Sequence, residues 1–170
     1  MKFNLAQDFP VGLDVLWPVY GAPPYLDAKY RALGAHRIDI KEATTDEQAI
    51  FVLLERTIAP DLKGVPDWAR KLVGRDYVMR HENRCRRLSP QSSAVNLSIT
   101  PLGSPVTINA KGSLNEVSPG QCRLALEFDV ECSLPIVGKK VAELFAGKIR
   151  EALQEDHDFT LKYISEHAKA

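Results

Sequence analysis

The chain of 170 residues is short of the features that mark a specialised class. It has 3 cysteines, an odd number with no CxxC pair, which leaves no disulfide framework and no zinc ribbon. It has no excess of either charge: 22 Lys+Arg stand against 22 Asp+Glu. Nucleic acid and an anionic membrane surface both call for a basic excess, so neither is expected as the main partner. No apolar run reaches bilayer-spanning length, so no integral membrane segment is expected. The uninterrupted stretch Ile50-Phe51-Val52-Leu53-Leu54 has the size of a buried strand. The opening, Met1 to Asp8, turns polar too soon for a secretory signal, which makes the cytoplasm, with reduced thiols, the expected compartment. With no repeat, low-complexity tract or Gly/Ser linker, a single domain over residues 1–170 is expected.

Catalytic signatures are missing as well. There is no GxGxxG, no Gly-rich loop ending in Lys-Ser/Thr, no GxSxG and no HExxH. The 4 histidines, at positions 36, 81, 157 and 167, show no metal-ligand spacing with the cysteines. His81 and Cys85 are four apart, but on a strand that spacing is roughly 13 Å, too far to clamp one zinc ion. Neither a metal nor a cofactor is expected. Cys122 and Cys132 fall on one face of a strand, where they read as core packers.

What is present is pattern. Hydrophobic residues make up 45%, enough for a sizeable core. From Gln121 to Leu134 the even positions are Cys122, Leu124, Leu126, Phe128, Val130, Cys132 and Leu134, and polar residues dominate between them. This period of two describes a long strand with one dry and one wet face, as in an antiparallel sheet covered on one side. Val106 to Asn115 alternates in the same way and joins it through Ser118-Pro119-Gly120. Val95 to Thr100, Asp76 to Arg87, Gln48 to Thr57, His36 to Lys41 and Lys2 to Asp8 complete about seven strands. Helices are expected at Pro10 to Trp17, ended or bent by Pro18, and at Pro23 to Leu33, with Gly34 just past its end. A brief helix fits Asp67 to Val73, closed by Gly74. A long one fits Val137 to His167, roughly 45 Å at the standard rise. Val141, Phe145, Ile149, Ala152, Asp156, Thr160 and Tyr163 fall along one side of it.

The order is strand, two short helices, six strands, long helix. A curved antiparallel sheet must bury its apolar face, and only the terminal helix is long enough to cover it. The expected class is α+β, a helix-grip fold with a curved seven-stranded antiparallel sheet wrapped around a long C-terminal helix and two short helices after strand 1. On Asp14-Val15-Leu16-Trp17, Val65-Pro66-Asp67-Trp68-Ala69-Arg70, Ser133 to Gly138 and Phe145-Ala146-Gly147-Lys148-Ile149, the chain resembles an uncharacterised bacterial branch of the START-like (SRPBCC) superfamily. That resemblance implies a cavity between sheet and helix that holds a hydrophobic or amphipathic small molecule, such as a lipid, sterol or polyketide.

Polar residues on faces that ought to be dry stand out. On the strand from Asp76, Tyr77, Met79, His81, Asn83 and Cys85 share the face opposite a charged one. Asp156 lies in the apolar stripe of the long helix, with Thr160 one turn on. An unpaired buried carboxylate is costly, so Asp156 must find a partner, water or a proton. His81, Asn83 and Asp156 either orient an amphipathic ligand or simply satisfy one another. Val52, Met79, Leu97, Ile108, Leu126, Phe128, Phe145 and Ile149 would line the cavity. Trp68, in the long connection from Ala59 to Arg75, is either part of a lid or a plug at the core edge. Tyr25 and Tyr30 either line the cavity or pack. Arg75, Arg80, Arg84, Arg86 and Arg87 are explained by charge pairing across the sheet, with Glu127, Asp129 and Glu131 as partners. Two alternatives to plain binding stay open. One is an enzyme of the cyclase or aromatase kind, with Asp156 or His81 as general acid or base. The other is a protein-interaction module with a collapsed cavity.

Overall fold

The computed structural model describes residues 1–73 and 76–167, so Gly74 and Arg75 lie outside the described residues. In chain order the elements are β1 (Lys2–Phe9), α1 (Leu13–Tyr20), α2 (Pro23–Ala32), β2 (Ala35–Thr45), β3 (Ala49–Ile58) and α3 (Asp67–Val73). They continue with β4 (Tyr77–Ser89), β5 (Ser92–Pro101), β6 (Val106–Ser118), β7 (Gln121–Cys132) and α4 (Gly138–His167). The strands form one seven-stranded antiparallel sheet in the order β1-β7-β6-β5-β4-β3-β2, a meander whose first strand pairs with its last. The sheet is open and curved, as the helix-grip expectation required.

Register explains the two-faced character. Phe3, Leu5, Gln7 and Phe9 stand opposite Phe128, Leu126, Leu124 and Cys122. Leu97 stands between Ala110 and Asn83, and Val52, Leu54 and Arg56 stand opposite Asn83, His81 and Met79. Because side chains alternate with a period of two, all of these project to the face that α4 covers. Gly112 marks where the sheet is drawn tight. A Cβ there would sit 1.9 Å from the Ala125 carbonyl oxygen of β7, so no larger residue fits without moving backbone. The β6–β7 register runs unbroken through this position, so the glycine serves a close approach and not a bulge.

α4 packs on β7, β1 and α2. Its start is set by Gly138, where a Cβ would come 2.6 Å from the Cys132 carbonyl oxygen, so the helix begins hard against the end of β7. Val141, Ala142 and Ala146 are buried near one end of the helix, and Thr160 and Ile164 near the other. Between them Phe145, Ile149 and Leu153 are only partly buried.

Several boundaries differ from the pattern-based ones. α1 begins at Leu13, not Pro10, because Glu116 of β6 accepts the Leu13 amide at 3.3 Å and fixes the first turn there. It then runs through Pro18 to Tyr20. So near the helix end, the missing proline N–H deprives only the Asp14 carbonyl of its partner. β7 stops at Cys132 although the alternation continues to Leu134. Ser133 instead donates its amide to the Pro105 carbonyl, and the chain turns through Ile136, at φ 68, into α4. No helix among the described residues is long and apolar enough to cross a membrane.

Candidate functional site

Where the middle of α4 bridges the curved sheet, it leaves a pocket of about 580 Å³. The floor is the inward face of β3 to β7: Val52, Met79, Val95, Leu97, Ile99, Ile108 and Leu126. Phe145, Ile149 and Leu153 of α4 form the roof, with Leu26 and Leu33 at one side. These walls are apolar. Gln7, Asp61, Lys148, Glu151 and Glu155 also border the pocket, and at one corner Lys29, Tyr30, Arg56, His81 and Asp156 converge from α2, β3, β4 and α4.

Lys29 is the hub of that corner. Its ammonium Nζ lies 3.1 Å from Asp156 Oδ2, with the lysine side chain 10% exposed and the aspartate 26%. It also lies over the Tyr30 ring, 4.6 Å from the centroid, and 5.2 Å from that of Tyr25. Burial, the largest single influence, works against the charge, but the Asp156 carboxylate together with the Tyr25 and Tyr30 phenol groups outweighs it and holds Lys29 well above the ordinary lysine range. On the far side of Asp156, Thr160 Oγ1 donates to the Asp156 backbone carbonyl at 2.8 Å. The Tyr25 hydroxyl lies 2.7 Å from Thr160 Oγ1, and with that proton committed the phenol is the donor. Burial pushes the Tyr25 phenol up to about 12, so it stays protonated.

A second cation, Arg56, reaches the same corner. Its guanidinium lies over the same Tyr30 ring, 4.8 Å from the centroid, and its Nε donates to His81 Nε2 at 3.0 Å. That bond leaves the His81 proton on Nδ1. Burial, then the charges of Arg56 and Lys29, drive His81 well below the ordinary histidine range, so the ring is neutral. The Tyr30 ring sits tilted against it, 5.0 Å between centroids. Arg56 takes no carboxylate partner among the described residues.

Of the residues anticipated from the sequence, Val52, Tyr77, Met79, His81, Asn83, Leu97, Ile108, Leu126, Phe145, Ile149 and Asp156 border the pocket. Three sit elsewhere. Trp68 lies on α3 and is 45% exposed, so it does not plug the core edge. Phe128 faces inward but is stacked on Phe3, with ring centroids 4.9 Å apart, in a filled part of the core. Thr160 is buried and spends its hydroxyl on Tyr25 and the Asp156 backbone. The two tyrosines divide: Tyr30 borders the pocket, whereas Tyr25 is fully buried behind it.

Lys29 and Arg56 were missed, and both had a signal. Arg56 continues the inward row Ile50, Val52, Leu54 on β3, a charge at a position where the row predicts an aliphatic side chain. Lys29 falls one turn after Tyr25 on the buried side of α2. The arginine rows pair differently from expectation. Arg80 binds Glu55 of β3 at 2.7 Å and Arg84 binds Glu82 at 2.8 Å. Glu127 and Asp129 instead face Lys2, because β6 and β5 separate β7 from β4. Among the described residues no three His, Cys, Asp or Glu side chains gather closely enough to hold a metal ion.

The chain belongs to a family described as a protein of unknown function (DUF2505), whose model matches residues 4–164. No curated protein matches the sequence. Among solved structures, a conserved protein from Geobacillus kaustophilus is similar at TM-score 0.58 and 10% identity, covering 99% of this chain and 98% of that one. A START superfamily protein from Mycobacterium smegmatis aligns at TM-score 0.55 and 12% identity, over 96% and 98% of the two chains. Norcoclaurine synthase from Thalictrum flavum, solved in complex with dopamine and hydroxybenzaldehyde, aligns at TM-score 0.59 and 13% identity, over 100% and 89%. The shared property is the START-like fold.

Proposed function

We propose that this chain binds a hydrophobic or amphipathic small molecule of the lipid, sterol or polyketide class, in the pocket between the sheet and α4. The observation that carries this reading is the pocket itself: largely apolar walls around about 580 Å³, with Lys29, Arg56, His81 and Asp156 clustered at one corner. Apolar ligand surface removed from water would supply affinity at about 25 cal/mol per Å². The polar corner would choose the orientation. A relative of the same fold solved with dopamine and hydroxybenzaldehyde makes occupancy by a small molecule a natural use of the architecture. Free cysteines at 85, 122 and 132 fit a reducing compartment, and we place the protein in the cytoplasm.

Native mass spectrometry of freshly purified protein tests the proposal. The expected result is a co-purified mass in the lipid-like range, released on denaturation, together with saturable binding of a fluorescent fatty-acid probe. Absence of bound mass and of saturable binding across several lipid classes would overturn it. The enzyme alternative has less support. His81 is neutral and so has the protonation state of a base, but its Nε2 lone pair is already taken by Arg56.

A further inference from the structure

The polar corner carries unequal charge. Two cations, Lys29 and Arg56, lie over the Tyr30 ring, and the corner holds one carboxylate, Asp156. Asp156 is committed to Lys29 at 3.1 Å. Arg56 has only a neutral imidazole and a ring face, and the single bond to His81 uses one of the five N–H donors a guanidinium presents. The other acidic residues at the pocket do not correct the imbalance. Asp61 pairs with Lys148 at 2.7 Å, Glu151 lies 3.7 Å from the same lysine, and Glu155 is exposed. His81 cannot act as counter-ion, since it is neutral.

Resting on the small-molecule reading above, we propose that the ligand is an amphiphile with an anionic carboxylate head, held by the unused guanidinium N–H groups of Arg56, with Lys29 adding charge and the tail lying along the apolar pocket. A planar fork of donors matches a carboxylate bidentately, and such charge-assisted bonds are about twice as strong as neutral ones. Contact with the Tyr30 ring, 4.8 Å from its centroid, and the bond to His81 hold the guanidinium at two points before any ligand arrives. His81 adds to this by accepting from Nε, which leaves both terminal nitrogens available on the opposite edge of the guanidinium.

The test compares dodecanoic acid, dodecanol and dodecylamine as competitors of a fluorescent fatty-acid probe, above the acid's own pKa. The expected order of affinity is acid, alcohol, amine, with the acid ahead of the alcohol by on the order of tenfold. In Arg56→Met the acid should lose that lead while the alcohol is held as before. Arg56→Lys should keep part of it. If acid and alcohol compete equally in the unaltered protein, the carboxylate inference fails and the pocket reading stands. If the amine binds best, Asp156 rather than Arg56 organises the site, and the inference likewise fails. If none of the three competes and the probe itself does not bind, both readings fall. The ranking in the unaltered protein decides the matter even if Arg56→Met does not fold.

Discussion

The space between sheet and helix has two halves built from the same alternating pattern. Where Phe3 of β1 faces Phe128 of β7 it is solid. Phe3 and Phe128 stack at 4.9 Å, and Val130, Val141, Ala142 and Ala146 are buried in the same core. Toward β3, β4 and α2 the same sheet face borders a pocket, and its inward positions include Arg56, His81 and Asn83. Curvature separates the two. α4 rests on β7 and β1, while the bent sheet carries β3 and β4 round toward α2. A dry face therefore says which way residues point, and says nothing of whether the opposite wall arrives. Polar side chains are tolerated where it does not arrive, because there they meet one another or solvent.

The largest contrast is in tolerance to truncation. Phe128→Ala would remove a fully buried ring from the solid half and leave a hole its neighbours cannot fill, at a cost of about 3–5 kcal/mol in chemical denaturation. Loss of less than about 1 kcal/mol would show that this half is not packed as described. Next in size is the ion pair. Asp156→Ala strands the Lys29 ammonium, which is 10% exposed, without its partner. Removing one member of a buried pair costs about 3–5 kcal/mol, and the partial exposure of Asp156 reduces that to about 1–3. Replacing both, as Lys29→Met with Asp156→Leu, should recover much of the loss, because no orphaned charge remains. A double variant as unstable as Asp156→Ala would show that lost packing, not charge, sets the cost.

These two halves were not equally legible in the sequence. Strand facing was legible over most of the sheet, because Val106 to Leu114 and Cys122 to Cys132 each alternate and β5 and β4 follow their register over most of their length. His81, Asn83 and Asp156 were found because each is a polar residue on a row of apolar ones. Arg56 obeys the same rule and was passed over, since the row Ile50 to Leu54 reads as a complete buried strand before it is reached. Lys29 is harder: α2 is short and weakly amphipathic, so its place one turn after Tyr25 is a weak signal until the packing of α2 on β2 and α4 shows which side is covered. Phe128 was assigned to the pocket because alternation cannot distinguish a residue that faces a void from one that faces Phe3. That difference depends on how far the sheet bends, which Gly112 hints at and tertiary contact decides.

A smaller effect comes from pH. His81 is held well below the ordinary histidine value of 6.5 by burial and by the facing charges of Arg56 and Lys29; the Tyr30 ring lies beside it, and Asp156 is engaged on Lys29. Between its folded value and 6.5, the unfolded chain binds a proton that the folded chain does not. Stability therefore rises with pH through that window and is lost as pH falls through it, by at most about 1.4 kcal/mol per pH unit for one group. His81→Gln removes the titration while keeping an acceptor for Arg56. The expected outcome is a shallower fall in Tm for the variant than for the parent between about pH 6.5 and pH 5. Parallel curves would mean that His81 is not held neutral by its surroundings.

The smallest change in stability should accompany the largest change in occupancy. Leu97 is half-buried at mid-strand on β5 and projects into the pocket, so Leu97→Trp has room to extend. Adding atoms to a filled core costs about 1–3 kcal/mol, and Ala110→Phe, opposite Phe128, should cost at least that. For Leu97→Trp the expected cost is under about 1 kcal/mol, because the added ring takes space that no side chain occupies. The same ring displaces ligand, so probe binding should be lost while the denaturation midpoint holds. Equal destabilisation by the two enlargements would erase the distinction between the halves. Intact binding in a stable Leu97→Trp protein would move the ligand away from β5, and with it the argument that Arg56 marks the head-group end.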